Sequence, residues 1–171
     1  FAIAGGGTLA MSQARPEDER NETVTKRYAA NRLRVVPQLR YSLDKGDEID
    51  LAFFINGLPV ATVELKTDFT QSVQAAMQQY RLDRPPKNEK TGRVEPLLTF
   101  KRGAVVHFAM SDSDIRMTTK LAGNSTFFLP FNRGNDGAAG NPPNKDGTYP
   151  VSYFWEQVLP KDNWLRIFRR F

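Results

Sequence analysis

Two adjoining apolar runs dominate the pattern of hydrophobic and polar positions along the chain. They lie in the stretch EIDLAFFINGLPVATVELKT, residues 48–67, and Asn56-Gly57 separates them. An Asn-Gly pair between apolar runs is the strongest short-range signal for a β-hairpin. Both runs are apolar at successive positions rather than alternate ones, which is typical of strands buried on both faces of a sheet. The pattern therefore predicts a central hairpin.

Segments with helical or strand periodicity flank this hairpin on both sides. The predicted helices cover residues 16–31 and 70–84, and the predicted strands cover residues 33–42, 104–110 and 115–121. The second helix is expected to end before Pro85-Pro86, because a residue that precedes proline is disfavoured in the α conformation. This mixture of strands and helices predicts an α/β fold with a mixed central sheet flanked by helices.

The two ends of the chain and one internal stretch lie outside these predicted elements. The first ten residues, FAIAGGGTLA, predict a frayed strand or a loop. Residues 132–150 are rich in Gly, Asn and Pro and predict a loop, and residues 151–171 predict a helical segment broken at Pro160. A length of 171 residues suits a single domain, and the start without methionine suggests a fragment of a longer chain.

Composition narrows the classes of protein to which the chain can belong. It has no cysteine, which excludes a disulfide framework and a thiolate metal site. No apolar stretch reaches the roughly 18 residues of a transmembrane helix, so no membrane association is expected. The net charge of +5 suits a polyanionic partner such as nucleic acid. A lone histidine, His107, lies in the apolar run VVHFAM and is expected in the core rather than in a Ser-His-Asp site.

The hairpin carries two carboxylates, and its loop length decides whether they can meet. A two-residue loop pairs Ile55 with Leu58 and places Asp50 and Glu64 on opposite faces. A three-residue loop with Gly57 in a G1 bulge instead makes the two carboxylates diagonal neighbours on one face, about 7–8 Å apart. We predict the bulged loop, since only that register lets both carboxylates reach one ion.

Such a pair of carboxylates suggests the hydrolysis of a phosphodiester with bound Mg²⁺. Mg²⁺ prefers oxygen ligands, and the backbone carbonyl of Leu65 is the natural third protein ligand beside Asp50 and Glu64. Lys66 follows on the same face as Glu64, where its ammonium would hold the attacking water and offset charge in the transition state. The alternative is a surface hairpin with ordinary charged residues, although charges in a buried strand need a reason.

Several motifs resemble the N-terminal nuclease domain of type I restriction enzyme R (motor) subunits, which belong to the PD-(D/E)xK nuclease superfamily. They are NGLPVATVELK, MTTKLAG and FLPFNRG with the GNPPN segment after it, within a resemblance that runs from about Tyr28 to the end of the chain. The resemblance maps the metal-binding aspartate of that superfamily onto Asp50 and its Glu-x-Lys motif onto residues 64–66. It implies a restriction-endonuclease-like core.

The resemblance also implies an activity and partners. The expected activity is Mg²⁺-dependent endonucleolytic cleavage of double-stranded DNA, in the bacterial or archaeal cytoplasm. The implied partners are the methyltransferase and specificity subunits of a restriction-modification complex, and a helicase motor in the same polypeptide. The chain has no GxxxxGK[ST] motif, so ATP is expected to act only through that motor. Residues 151–171 would lead towards the motor.

One departure from the family concerns the helix after Glu-x-Lys. Many of these domains carry Gln-x-x-x-Tyr there, but Ala76 stands four residues before the tyrosine in this chain. The weak candidates for DNA contact are Gln78, Gln79, Tyr80 and Arg81 on this helix, with Arg32 and Arg34 on the predicted strand upstream. Two other functions remain open, a non-catalytic DNA-binding or docking module of the motor subunit and a stand-alone repair nuclease of the same superfamily.

Overall fold

The protein was studied as a computed structural model, which describes residues 2–3, 7–8, 10–42 and 44–170. Contacts divide the chain into two compact units. The first unit comprises Phe1–Arg34, Phe54–Leu58 and Tyr153–Phe171, and the second comprises Val35–Phe53 and Pro59–Ser152. The candidate carboxylates both belong to the second unit.

A six-stranded sheet forms the frame of the second unit, and its strands follow one another in chain order. They are β3 (Leu33–Arg40), β4 (Glu48–Ile55), β5 (Leu58–Leu65), β6 (Val106–Met110), β7 (Ile115–Thr118) and β8 (Leu129–Pro130). Strands β5 and β6 are parallel, with Glu64 beside Ala109, whereas β6–β7 and β7–β8 are antiparallel. The sheet is therefore mixed, which confirms the predicted α/β class.

Helix α2 (Val73–Leu82) connects the two parallel strands and packs on the sheet. Its buried residues are Val73, Ala76 and Tyr80, at the spacing of one helix face. The predicted helix over 70–84 is confirmed to within three residues at either end. The chain then reaches β6 through a short 3₁₀-helix (Pro96–Leu98), which was not predicted.

The hairpin between β4 and β5 turns through two residues, and the predicted three-residue bulged loop is wrong. Asn56 and Gly57 both have positive φ, 51° and 85°, as in a type I′ turn. Asparagine tolerates this region better than other residues with a side chain, and glycine adopts it freely. In addition, Arg32 N donates to Asn56 Oδ1 at 2.8 Å, which fixes the turn from a neighbouring segment.

The first unit contains α1 (Glu22–Ala29) and α3 (Lys161–Arg170), with a π-helical turn (Phe154–Val158) before α3. It also contains the short paired strands β1 (Ala2–Ile3) and β2 (Gly7–Thr8). Of the other six of the first ten residues, five lie outside the described part. The break at Pro160 is confirmed. The predicted start of the first helix at Pro16 is wrong, because Asn21 caps it by accepting from Val24 N at 3.2 Å.

The Gly-, Asn- and Pro-rich stretch 132–150 contains neither a helix nor a multi-residue strand, as predicted. Hydrogen bonds from two asparagine side-chain amides stabilise this stretch. Asn141 Nδ2 donates to Ser113 O at 2.9 Å, and Asn144 Nδ2 donates to Tyr149 O at 2.7 Å. Among the described residues, no helix has the length and apolar character needed to cross a membrane.

Candidate metal site

Asp50 lies in β4 and is bonded to the neighbouring strand. Its Oδ2 accepts the backbone N–H of Leu65 at 2.7 Å. The next N–H along the chain, that of Lys66 just after β5, donates to Met110 O of β6 at 2.9 Å. Because successive N–H groups of a strand point to opposite sides, the Leu65 N–H points towards β4. The Asp50 carboxylate thus takes a donor that would otherwise continue the ladder between β4 and β5.

The two carboxylates interact although the loop has only two residues. Counting pairs from the turn assumes an unbroken ladder. The backbone bonds depart from that ladder nearer the turn, because Val60 O accepts from Val105 N at 3.0 Å and so points to the β6 side of β5 rather than to β4. The electrostatic interaction between the two carboxylates shows that they are close, since the Asp50 charge raises the pKa of Glu64.

Glu64 is completely buried, with 0% of its surface exposed. Its Oε1 accepts a hydrogen bond from Arg84 Nε at 2.7 Å, and the Arg84 side chain is only 11% exposed. Its Oε2 is buried without a hydrogen-bond donor. A buried carboxylate oxygen in this position is costly unless a proton or a cation satisfies it.

The protonation of Glu64 reflects these neighbours. Burial raises the pKa of its carboxyl group to about 7, while the Arg84 guanidinium opposes the rise and the Asp50 carboxylate adds to it. Burial also raises the pKa of the nearby Tyr41, whose hydroxyl oxygen has no hydrogen-bond partner. Strongly shifted carboxyl groups of this kind are concentrated at functional sites.

Lys66 is the residue that follows the end of β5. Its side chain is partly exposed, and its ammonium forms no ion pair with the described residues. Because its ammonium is not engaged in an ion pair with a described residue, Lys66 is available to a ligand that approaches the two carboxylates. Its catalytic role remains a prediction.

Three polar side chains bond one another in the core close to Glu64. Thr62 lies two residues before Glu64 in β5, and its hydroxyl group hydrogen-bonds both Tyr80 Oη at 2.8 Å and His107 Nδ1 at 2.7 Å. Burial lowers the pKa of His107 to about 4, so the imidazole is neutral at pH 7. The expected place of His107 in the core is therefore confirmed. The network ties α2 to the two parallel strands that carry the site.

The weak candidates for DNA contact lie in different environments. Gln78 is exposed, whereas Gln79 Oε1 is buried without a hydrogen-bond partner and Tyr80 is fully buried. Arg81 Nη2 donates to Thr126 O at 3.2 Å, and its guanidinium lies over the ring of Phe128. Arg32 and Arg34 belong to the first unit, where both are exposed. Contact with DNA remains a prediction for all six.

Arg84 is the site residue that sequence reasoning missed. It stands four residues after Tyr80, and residues four apart lie on the same side of a helix. Since Tyr80 is a core residue, this spacing was a signal that Arg84 also points towards the sheet. The helix itself ends at Leu82, and Arg84 extends from the chain just after the C-cap, Asp83.

The residues present fit a hard divalent cation. The two carboxylates supply oxygen ligands, which Mg²⁺ prefers, and the buried Glu64 Oε2 has no other partner. The backbone carbonyl of Leu65 is adjacent in the strand and stays the predicted third ligand. No group of three or more Asp, Glu, His or Cys side chains with metal-binding geometry occurs in the described part of the chain. Water or a phosphate ligand would therefore complete the coordination.

Comparison with known proteins adds evidence that is independent of this geometry. No curated protein matches the chain. The family model described as "Type I restriction enzyme R protein N terminus" matches residues 9–126. The matched stretch includes both carboxylates, Lys66 and Arg84, whereas the FLPFNRG and GNPPN motifs lie beyond it. Because the match covers more than half of the 171 residues, the chain belongs to the family of type I restriction enzyme R protein N termini.

Proposed function

We propose that this chain is the nuclease domain of a type I restriction enzyme R subunit and that it cleaves double-stranded DNA with Mg²⁺. The observation that carries the proposal is the buried Glu64 Oε2, which has no donor and belongs to a carboxylate that interacts with Asp50. A structural carboxylate would be expected to have both of its oxygens satisfied. Membership of the R protein family supports a role in restriction-modification.

In this proposal each side chain has a distinct role. Asp50 and Glu64 would hold the ion together with the Leu65 carbonyl. The ion, when bound, would supply Lewis-acid stabilisation of the negative charge on the phosphate. Lys66 would donate a hydrogen bond to the attacking water or to a phosphate oxygen, which orients the water and offsets developing charge.

The partners follow from the family. We propose that a helicase motor in the same polypeptide delivers the duplex, and that the methyltransferase and specificity subunits read the DNA sequence. The chain's own net charge of +5 would favour the DNA backbone without conferring base specificity.

The test is a cleavage assay on a linear duplex, with the R subunit assembled with its partner subunits. Glu64→Gln and Asp50→Asn should each lower Mg²⁺-dependent cutting by at least about 100-fold. The matched control is Glu48→Gln, since Glu48 lies on the same strand as Asp50 but pairs with Arg40 in an exposed ion pair. Normal cutting by Glu64→Gln would contradict the proposal and leave the domain as a docking module.

A further inference from the structure

The Arg84–Glu64 ion pair is far more buried than the other ion pairs of the described residues. Glu64 is fully buried and the Arg84 side chain is 11% exposed, whereas the side chains of Arg93 and Asp44 are 49% and 23% exposed. A buried guanidinium is retained at a cost in desolvation. Because Arg84 lies beside a candidate metal ligand, we expect this desolvation cost to be offset by a role of Arg84 in the metal site.

One oxygen of each carboxylate accepts a hydrogen bond from an N–H group. Asp50 Oδ2 accepts from Leu65 N, and Glu64 Oε1 accepts from Arg84 Nε. The remaining oxygens are Asp50 Oδ1 and Glu64 Oε2, one from each carboxylate. Each carboxylate is therefore held through one oxygen and can offer the other to a ligand.

We propose that Arg84 is a positioning residue that holds Glu64 through Oε1, so that the site presents one oxygen of each carboxylate to a single divalent cation. This inference rests on the proposed function, because it assumes that Asp50 and Glu64 bind the metal. Arg84 acts through Glu64 and does not touch the ion. Groups that orient metal ligands in this way typically contribute about 10- to 100-fold to metal affinity or activity.

The geometry of arginine suits this role better than that of lysine. The Nε–H of Arg84 has a direction fixed by the planar guanidinium, whereas a lysine ammonium is a flexible point charge. The side chain leaves the main chain between the C-cap of α2 and Pro85, where the backbone is restricted. Arg84→Lys would keep the charge but not the direction of the bond.

The experiment counts Mn²⁺ bound to this chain by electron paramagnetic resonance of the free ion, without DNA and therefore without a cleavage readout. The wild-type chain should bind one Mn²⁺ that Glu64→Gln abolishes. Arg84→Met should weaken this binding at least about tenfold, and Arg84→Lys should weaken it severalfold. Arg93→Met, which removes the exposed ion pair with Asp44, is the matched control and should leave the affinity unchanged.

The outcomes separate this inference from the proposed function. Loss of Mn²⁺ binding in Glu64→Gln together with wild-type affinity in both Arg84 variants would overturn the role of Arg84 and leave the metal site standing. Two Mn²⁺ ions that both depend on Glu64 would overturn the single-ion arrangement. Mn²⁺ binding that is insensitive to Glu64→Gln would overturn the metal site and this inference with it. If circular dichroism shows that Arg84→Met does not fold, Arg84→Lys decides, and unchanged affinity in that variant contradicts the proposal.

Discussion

Asp50 Oδ2 accepts the backbone N–H of Leu65 at 2.7 Å, so the aspartate of one strand is bonded to the strand that carries the glutamate. This bond does two things at once. It satisfies an N–H that the neighbouring strand would otherwise have bonded, and it holds the Asp50 carboxylate close to Glu64. The two functions can be separated by substitution.

Asp50→Asn should remove the charge but keep an acceptor for Leu65 N–H. We expect the free energy of unfolding to stay within about 1 kcal/mol of the wild type, because the amide oxygen can still accept the bond. Asp50→Ala leaves that N–H without a partner and should cost about 1–3 kcal/mol. Urea denaturation of both variants without metal measures the difference. Equal stability of the two variants would contradict a structural role for the bond.

The pH dependence of stability should reveal Glu64. Its pKa in the folded chain is about 7, above its ordinary value of 4.5. The folded state therefore holds a proton that the unfolded state has lost between these pH values, and stability falls as the pH rises through this window. Relative to Glu64→Gln, metal-free wild type should lose on the order of 3 kcal/mol between about pH 4.5 and 7. If the difference in free energy of unfolding between the wild type and Glu64→Gln does not change across this pH range, Glu64 is not buried and coupled to Asp50 as described.

His107 should give the opposite slope, which is why the variant comparison is needed. Burial lowers its pKa to about 4 from an ordinary value of 6.5. The unfolded state therefore binds a proton in this range that the folded state does not, and stability is lost as the pH falls from about 6.5 to 4. Adding His107→Gln to both members of the Glu64 pair should remove this acid-side loss and leave the Glu64 slope unchanged.

Thr62→Val tests the network that ties α2 to the strands. Valine keeps the shape of threonine but leaves Tyr80 Oη and His107 Nδ1 without their shared hydroxyl partner. We expect a loss of about 2–4 kcal/mol in the free energy of unfolding, because two buried polar groups lose a bond. The double variant Thr62→Val with Tyr80→Phe should recover part of this loss. A loss below about 0.5 kcal/mol in Thr62→Val would show that water replaces the hydroxyl group.

Lys66→Met should separate chemistry from metal binding. The ammonium has no ion-pair partner among the described residues, so its removal should change stability by less than about 0.5 kcal/mol. Cutting should fall by at least about 100-fold, because a donor to the reacting groups is lost. Lys90→Met, at an exposed loop position, is the control. Wild-type cutting by Lys66→Met would remove this lysine from the mechanism.

Much of the sheet could be predicted because its signals are local. The apolar runs on both sides of Asn56-Gly57 located β4 and β5, and Pro85-Pro86 marked the end of α2. The start of α1 was predicted too early because the acidic residues after Pro16 resemble a first helical turn. The side chain of Asn21 provides the actual cap.

The arrangement at the site was harder to predict because it depends on bonds between distant residues. The three-residue loop was predicted because the two carboxylates had to come together on one face. That prediction assumed that the face of each side chain follows from counting residue pairs outward from the turn. The backbone bonds of β5 do not meet that assumption, because Val60 O points to the β6 side of the strand. Two facts were needed to find Arg84. One is its spacing of four residues from Tyr80, and the other is that the Tyr80 face of the helix packs on the sheet. The sequence indicates this packing but does not specify it.

Asp50 and Glu64 are proposed to hold a divalent metal ion. Calorimetric titration of Mg²⁺ into the wild-type chain, Glu64→Gln and the control Glu48→Gln measures whether these carboxylates bind it. We predict a binding heat in the wild type and in Glu48→Gln that is absent in Glu64→Gln. The same heat in all three chains would contradict this proposal, because the ion would then bind somewhere other than these two carboxylates.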